Sequence, residues 1–203
     1  MIIGLSGKKG SGKTEISKYL SSKLNIPVYS FATPVKELVY KISGLTDIDK
    51  TNTNYYDGKI FNLDPLKKEL KKFGYDKLSS ENIDSLKAIE YNKICDIYRY
   101  LMQYVGTDIF RTRNINHWII CFRNSYHLDE SYIVDDVRFI NEFNFINSQY
   151  NSKCIKIINQ STQKKDVHSS ETEQDKIRFK YKFVNKNNGL VQLYNDIDNF
   201  FGI

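Results

Sequence analysis

Apolar residues along this chain form short unbroken runs and stripes at three- and four-residue spacing, and the two patterns alternate. Residues 1–5, Met-Ile-Ile-Gly-Leu, are one such run and predict a buried strand. Residues 14–24 carry Ile16, Leu20 and Leu24 four apart, which predicts an amphipathic helix. Residues 27–32 read as a second buried strand. Thr33 is then a predicted N-cap with Pro34 at the first helical position, and Gly44 marks the stop. A β-α-β-α opening of this kind predicts a parallel sheet covered by helices.

Residues 45–90 interrupt that rhythm. They are rich in Lys, Asn, Asp and Ser, with short helical stretches such as 65–72, and read as an inserted subdomain. Helix returns over 91–110, where Ile94, Ile97, Tyr98, Leu101, Met102, Val105 and Ile109 make the apolar stripe. A helix over 115–124 follows. Residues 131–136 are an apolar run closing in Asp135 and Asp136, which predicts a central strand with carboxylates at its C-terminal edge. Helix is expected over 141–150, strand over 152–158, a polar loop over 159–176, strand over 179–184 and helix over 190–201. The chain is read as one α/β domain, 1–203, with an insertion at about 45–110 and a lid at about 159–176.

Composition narrows the partners. The excess of 30 basic over 24 acidic residues gives a net charge of +6, but the lysines are dispersed and form no dense basic arm, so nucleic-acid binding is not expected. The scarce cation is arginine: Arg99, Arg111, Arg113, Arg123, Arg138 and Arg178 are the whole set. Cys95, Cys121 and Cys154 are odd in number and widely spaced, which suits a reducing compartment and neither a disulfide framework nor a zinc cluster. The apolar run at 1–5 is too short for a signal peptide or a membrane span, so a cytoplasmic location is expected, with no membrane partner.

Gly7-Lys8-Lys9-Gly10-Ser11-Gly12-Lys13-Thr14 fits G-x-x-x-x-G-K-[ST]. Glycines admit backbone conformations closed to other residues and let amides approach a phosphate. Those amides and the positive end of the next helix favour an anion. The pattern predicts that Gly7, Lys9, Gly10, Ser11, Gly12 and Lys13 bind the phosphates of a nucleotide, Lys13 on the β- and γ-oxygens, and that the Thr14 hydroxyl holds Mg²⁺. Asp135 and Asp136, at the C-terminal edge of their strand, are the candidate metal-shell acids.

Four further segments accompany this loop. Phe31-Ala32-Thr33-Pro34-Val35-Lys36-Glu37 follows the second strand. Residues 99–111 have the form R-x-L-x-Q-x-x-G-T-[DE]-x-x-R. Asp136-Val137-Arg138-Phe139-Ile140-Asn141-Glu142 has the form D-V-R-F-x-N-E, and His168-Ser169-Ser170-Glu171 contains H-x-S-E. With these motifs in this order the chain resembles the deoxynucleoside monophosphate kinases of bacteriophages and large DNA viruses, over nearly all its length outside 45–90. The resemblance implies a P-loop kinase fold: a five-stranded parallel sheet with helices on both faces, an inserted helical monophosphate-binding region and a lid. It implies ATP and Mg²⁺ as cofactors, a deoxynucleoside monophosphate as substrate, and a homodimer. If the source is viral, the location is the host cytoplasm. Lys13, Arg111, Arg138 and Asp136 are then the catalytic candidates, and the resemblance favours Asp136, which falls in the family motif, over Asp135 for the metal shell. Lys36, Arg99, Gln103, Thr107, Arg113, Glu142 and His168 are the acceptor-site candidates, and Asn185 lies in the last strand-to-helix loop near the donor base.

Two departures stand out. An Arg is expected after the fourth strand, where Asn159-Gln160-Ser161 stands; Lys164 and Lys165 are the alternative charges. Asn185-Lys186-Asn187-Asn188 superficially matches the guanine-reading N-K-x-D but lacks its final Asp, which argues against a GTP-binding switch. A P-loop kinase acting on another small acceptor, dephospho-coenzyme A or phosphomevalonate, is the remaining alternative.

Overall fold

The alternation of buried runs and amphipathic stripes becomes a parallel sheet with helices on both faces. The computed structural model describes residues 1–56, 60–89, 92–125, 130–159 and 173–203. These form two compact units, one of Met1–Phe31 with Ile119–Ile203 and the other of Ala32–Trp118. No described helix is long and apolar enough to cross a membrane.

The first unit holds β1 (Ile2–Ser6), α1 (Lys13–Leu24) and β2 (Val28–Tyr29). After the second unit it continues through most of α6 (His117–Ser125), then β3 (Tyr132–Val134), α7 (Ile140–Asn147), β4 (Lys153–Asn159), β5 (Tyr181–Asn185) and α8 (Leu190–Phe201). The five strands run parallel in the order β2-β3-β1-β4-β5. Register places Gly4 between Val134 and Cys154. On one face Ile3, Leu5, Ile133, Ile155 and Ile157 bury against Ile16, Leu20, Leu193 and Ile197 of α1 and α8. On the other, Phe122 of α6 meets Tyr29, Tyr132 and Phe145 ring to ring. Gly4 lies under α7: a Cβ there would sit 2.7 Å from the Cys154 sulfur and 3.0 Å from Ile146.

β2 and β3 are shorter than their apolar runs. Past them the backbone still bonds across the sheet, Asp135 N–H to the Tyr29 carbonyl and Val137 N–H to that of Leu5. This carries the acids beyond the strand end without releasing them from the sheet. The helix expected from Thr33 begins one residue earlier in role: Ala32 is the N-cap and Thr33–Ser43 is helical, with Gly44 closing it at φ 75°.

The second unit contains α2 (Thr33–Ser43), a 3₁₀ turn (Asp47–Thr51), α3 (Asp64–Lys72), α4 (Ser80–Ala88) and α5 (Ile94–Gln103), plus the first two residues of α6. The helix expected over 91–110 is two pieces. α5 is followed without a break by a π-helix, Tyr104–Arg111. Ile97, Leu101, Val105 and Ile109 are fully buried along the joined rod.

His117, also fully buried, sits among aromatic rings: Phe110 stacks at 4.4 Å, Trp118 lies at 4.3 Å and Phe73 at 4.5 Å. The Tyr75 hydroxyl bonds its Nδ1 at 3.0 Å. Burial, aided by the Lys72 charge, pushes the imidazole down to about 4 from 6.5. The folded protein therefore keeps His117 neutral where the unfolded chain would protonate it. Stability from this site is complete above pH 6.5 and drains away as pH falls from 6.5 towards 4. The melting temperature should drop between pH 7 and pH 5 by on the order of 5 °C more for the native chain than for His117→Phe. Equal drops would place the pH sensitivity elsewhere.

Candidate active site

The loop between β1 and α1 is shaped by glycine. Gly10 and Gly12 adopt φ 82° and 95°, left-handed values that strain any residue with a Cβ. A Cβ on Gly7 would lie 2.6 Å from the Ile157 carbonyl, and one on Gly12 would lie 2.6 Å from Asn185 Nδ2. Glycine at these two positions thus lets the loop pack closely against Ile157 and Asn185. Gly12 is also the N-cap of α1 and makes no side-chain cap bond, so the helix presents its first amides to the loop.

Side chains then fix the loop carbonyls. The Lys13 ammonium donates to the carbonyls of Gly7 and of Lys8, the latter at 3.0 Å, and reaches Ser11 Oγ at 3.4 Å. Asn185 Nδ2 donates to the Ser11 carbonyl at 3.2 Å, and its Oδ1 accepts the Asn187 amide at 3.0 Å. Asn159 Nδ2 donates to the Gly10 carbonyl at 3.1 Å, and the Asn159 and Asn187 amides pair with each other. The sequence reading missed Asn159 and Asn187 as loop supports. Their available signal was one asparagine closing β4 and another two residues past the end of β5. Lys9 and Thr14 are exposed. Lys8 pairs with Asp175 at 2.9 Å.

At the neighbouring strand end the two acids differ. Asp136 is buried; its Oδ1 accepts the Phe31 amide at 2.7 Å and its Oδ2 the Ser30 hydroxyl at 2.6 Å. Asp135 is half-buried. Six residues after Asp136, Glu142 is buried, and its Oε2 accepts the amides of Arg138 at 2.9 Å and Phe139 at 3.1 Å. Those amides precede α7, so the carboxylate satisfies donors at a helix start and fixes the backbone of Arg138. The donor set on this unit fits a triphosphate with magnesium. It offers a glycine cradle, an uncapped helix, a lysine, one hydroxyl and carboxylate oxygens, and Mg²⁺ takes oxygen ligands while relying on phosphates for part of its shell.

Five of the acceptor candidates, Lys36, Arg99, Gln103, Thr107 and Arg113, lie on the second unit. Arg99, Gln103, Thr107 and Arg111 follow one another at four-residue steps along α5 and the π-helix, from exposed Arg99 to buried Arg111. Lys36 pairs with Asp47 at 2.8 Å. Partial desolvation works against ionisation of Asp47, but hydrogen bonds from Lys36, Lys50 and Tyr98 outweigh it and hold its carboxyl well below the usual carboxylate range. Arg113 is turned inward: it donates to the Ile109 carbonyl at 2.6 Å and reaches the Lys77 carbonyl and Asn82 Oδ1 at 3.4 Å. His168, with Lys164, Lys165 and Glu171, lies outside the described residues.

Comparison with known proteins places this geometry. The family model for deoxynucleotide monophosphate kinase matches residues 51–197. The match takes in 51–90, which the sequence resemblance left aside, and begins after the phosphate loop, whose reading rests on its own motif. A protein of Acanthamoeba polyphaga mimivirus, provisionally named a deoxynucleotide monophosphate kinase, is 27% identical over 95% of this chain and 91% of its own. A dephospho-CoA kinase of Fusobacterium nucleatum is 33% identical over 51% of each chain. Among solved structures, shikimate kinase from Aquifex aeolicus aligns at 14% identity and TM-score 0.40, covering 100% of this chain and 96% of that one. A dephospho-CoA kinase from Campylobacter jejuni aligns at 11% and 0.42, covering 99% and 95%. Neither structural likeness bears on the acceptor.

Proposed function

The chain belongs to the deoxynucleotide monophosphate kinase family, and from that membership we propose how its own residues move a phosphoryl group onto a deoxynucleoside monophosphate. The donor is ATP. The amides of the Gly7–Thr14 loop and the start of α1 hold its phosphates, and the Lys13 ammonium leaves its loop carbonyls for the β- and γ-oxygens. Thr14 and Asp135 would hold Mg²⁺, which when bound would neutralise charge on the donor phosphates. Asp136, engaged by Ser30 and Phe31, supports this pair by locking the end of β3 to the turn after β2.

Arg138 and Arg111 supply the planar, two-pronged contacts that a transferring phosphoryl group needs. Arg99, Gln103 and Thr107 line the acceptor side. Lys36 reaches the acceptor while Asp47 holds it, and Glu142 acts by fixing Arg138. Arg113, whose donors point into its own unit, supports the acceptor elements rather than touching substrate. For His168, which lies outside the described residues, the role proposed is helping to hold the acceptor rather than acting as a base, since phosphoryl transfer depends on alignment more than on a strong base. Asn185 keeps the loop in shape beside the donor base.

The observation carrying this reading is the glycine cradle on an uncapped helix, in a chain whose residues 51–197 match the family. A coupled ADP-release assay tests it, with dAMP, dCMP, dGMP, dTMP, dephospho-coenzyme A and phosphomevalonate as acceptors. Turnover with one or more of the deoxynucleotides is expected. Turnover with dephospho-coenzyme A alone would move the chain to the second reading, which the partial likeness to a dephospho-CoA kinase favours. A marked preference for GTP over ATP as donor would remove ATP from the scheme.

A further inference from the structure

The rod that carries the acceptor residues changes helical register halfway. An α-helix turns once in 3.6 residues, so a step of four overshoots a turn. An i→i+5 ladder holds more than four residues per turn, so the same step falls short. A rod that is α over Ile94–Gln103 and π over Tyr104–Arg111 lets the two drifts cancel. Residues spaced strictly by four then stay close to one line. Burial bears this out on the core side, where Ile97, Leu101, Val105 and Ile109 are each fully buried at steps of four. Arg99, Gln103, Thr107 and Arg111 are spaced the same way, so the register change lines them up as well.

Side-chain donors hold the π segment from one end. The Trp118 indole N–H donates to the Gly106 carbonyl at 2.9 Å, both residues being buried. Thr112 Oγ1 donates to the Asp108 carbonyl at 2.6 Å. Arg113 donates to the carbonyl of Ile109. Side chains entering the helical ladder are a recognised cause of departures from α geometry. Trp118 is itself held, edge to face with His117 and 5.2 Å from Phe110. Gly106 offers no steric reason for the widened turn, since a Cβ there would meet Val35 only at 3.5 Å.

We propose that Trp118 is a positioning residue for the acceptor: its indole pins the π-helix and thereby keeps Thr107 and Arg111 in line with Gln103 and Arg99. This inference rests on the acceptor role given above to those four residues. No side chain in the 99–111 motif is Trp118, and the residue acts on substrate only through that motif.

The test is Trp118→Phe in the full chain, which keeps a packed ring and removes only the N–H. Relative to the native chain, kcat/KM for the deoxynucleotide should fall about 10- to 100-fold, a loss typical of misplacement by an ångström. KM for ATP should stay within about twofold, and melting should remain cooperative. A merely structural role would not give that split. In an Arg111→Ala background, Trp118→Phe should cost little more, because its effect passes through Arg111. Acceptor kinetics within about twofold of native, or fully additive losses with Arg111→Ala, would overturn the proposal. If Trp118→Phe does not fold, Thr112→Val at its exposed position removes a second donor at constant shape. The same acceptor-selective loss is expected there, and unchanged kinetics overturns the proposal. Native turnover is measured first. Absence of turnover with any deoxynucleotide overturns the functional reading and this inference together, whereas turnover that both variants leave intact overturns this inference alone.

Discussion

Lys13→Ala should abolish turnover while leaving the fold cooperative. The ammonium is the one side chain of the phosphate loop that bridges three loop groups, the carbonyls of Gly7 and Lys8 and the Ser11 hydroxyl. Facing backbone oxygens, it already occupies an anion-like setting, and a phosphate oxygen offers a full charge where a carbonyl offers a dipole. Truncation leaves the loop's amides but removes the charge that Lys13 holds against them, and charge developing on the transferring group loses its fixed counterpart. We expect kcat to fall by roughly 10²–10³-fold or more. Loop shape survives because other groups hold it: Asn185 on Ser11, Asn159 on Gly10, and left-handed glycines at 10 and 12. The melting temperature should therefore move by only a few degrees, as for a surface substitution. Steady-state ADP release beside a thermal melt separates the two effects. A variant retaining kcat within a few-fold of native would refute the placing of the γ-phosphate at this loop.

The phosphate loop was legible because its requirements are local. Positive φ at Gly10 and Gly12, backbone contact at Gly7 and a lysine at the first helical turn are all written in eight consecutive residues. The sheet was legible for a related reason: strands buried on both faces leave unbroken apolar runs, and Gly4 admits the close approach of Cys154 and Ile146. What was not legible depends on partners distant in the chain. Lys36 reads as a free cation until Asp47 is beside it, and Arg113 as a phosphate ligand until the carbonyls of Ile109 and Lys77 are found at its guanidinium. Asp136 and Glu142 read as acids for substrate or metal, yet Asp136 accepts from Ser30 and Phe31, and Glu142 from two amides before α7. The π-helix lay between these cases. A stripe at mixed three- and four-residue spacing predicts helix, but the strict steps of four from Ile97 to Ile109 were its only trace in the sequence.

Arg138→Lys is the second large effect, and it distinguishes geometry from charge. Arg138 follows the end of β3 by four residues, and its amide is fixed by the buried Glu142 carboxylate at 2.9 Å. Its Cα therefore has little freedom, and what the side chain delivers depends on its own shape. A guanidinium presents parallel N–H donors that can engage two phosphoryl oxygens at once, while an ammonium is a point charge on a flexible stem. The substitution keeps the net charge, so a purely electrostatic role predicts nearly native rates. A bidentate role in the transition state predicts a fall in kcat of roughly 10²-fold with little change in KM for ATP. We expect the latter. Glu142→Gln supplies the companion measurement: it keeps an acceptor for the Arg138 and Phe139 amides but removes the carboxylate charge, so kcat should fall less than for Arg138→Lys. If Glu142→Gln costs more than Arg138→Lys, the carboxylate rather than the guanidinium is the group the reaction depends on, and the assignment at the end of β3 reverses.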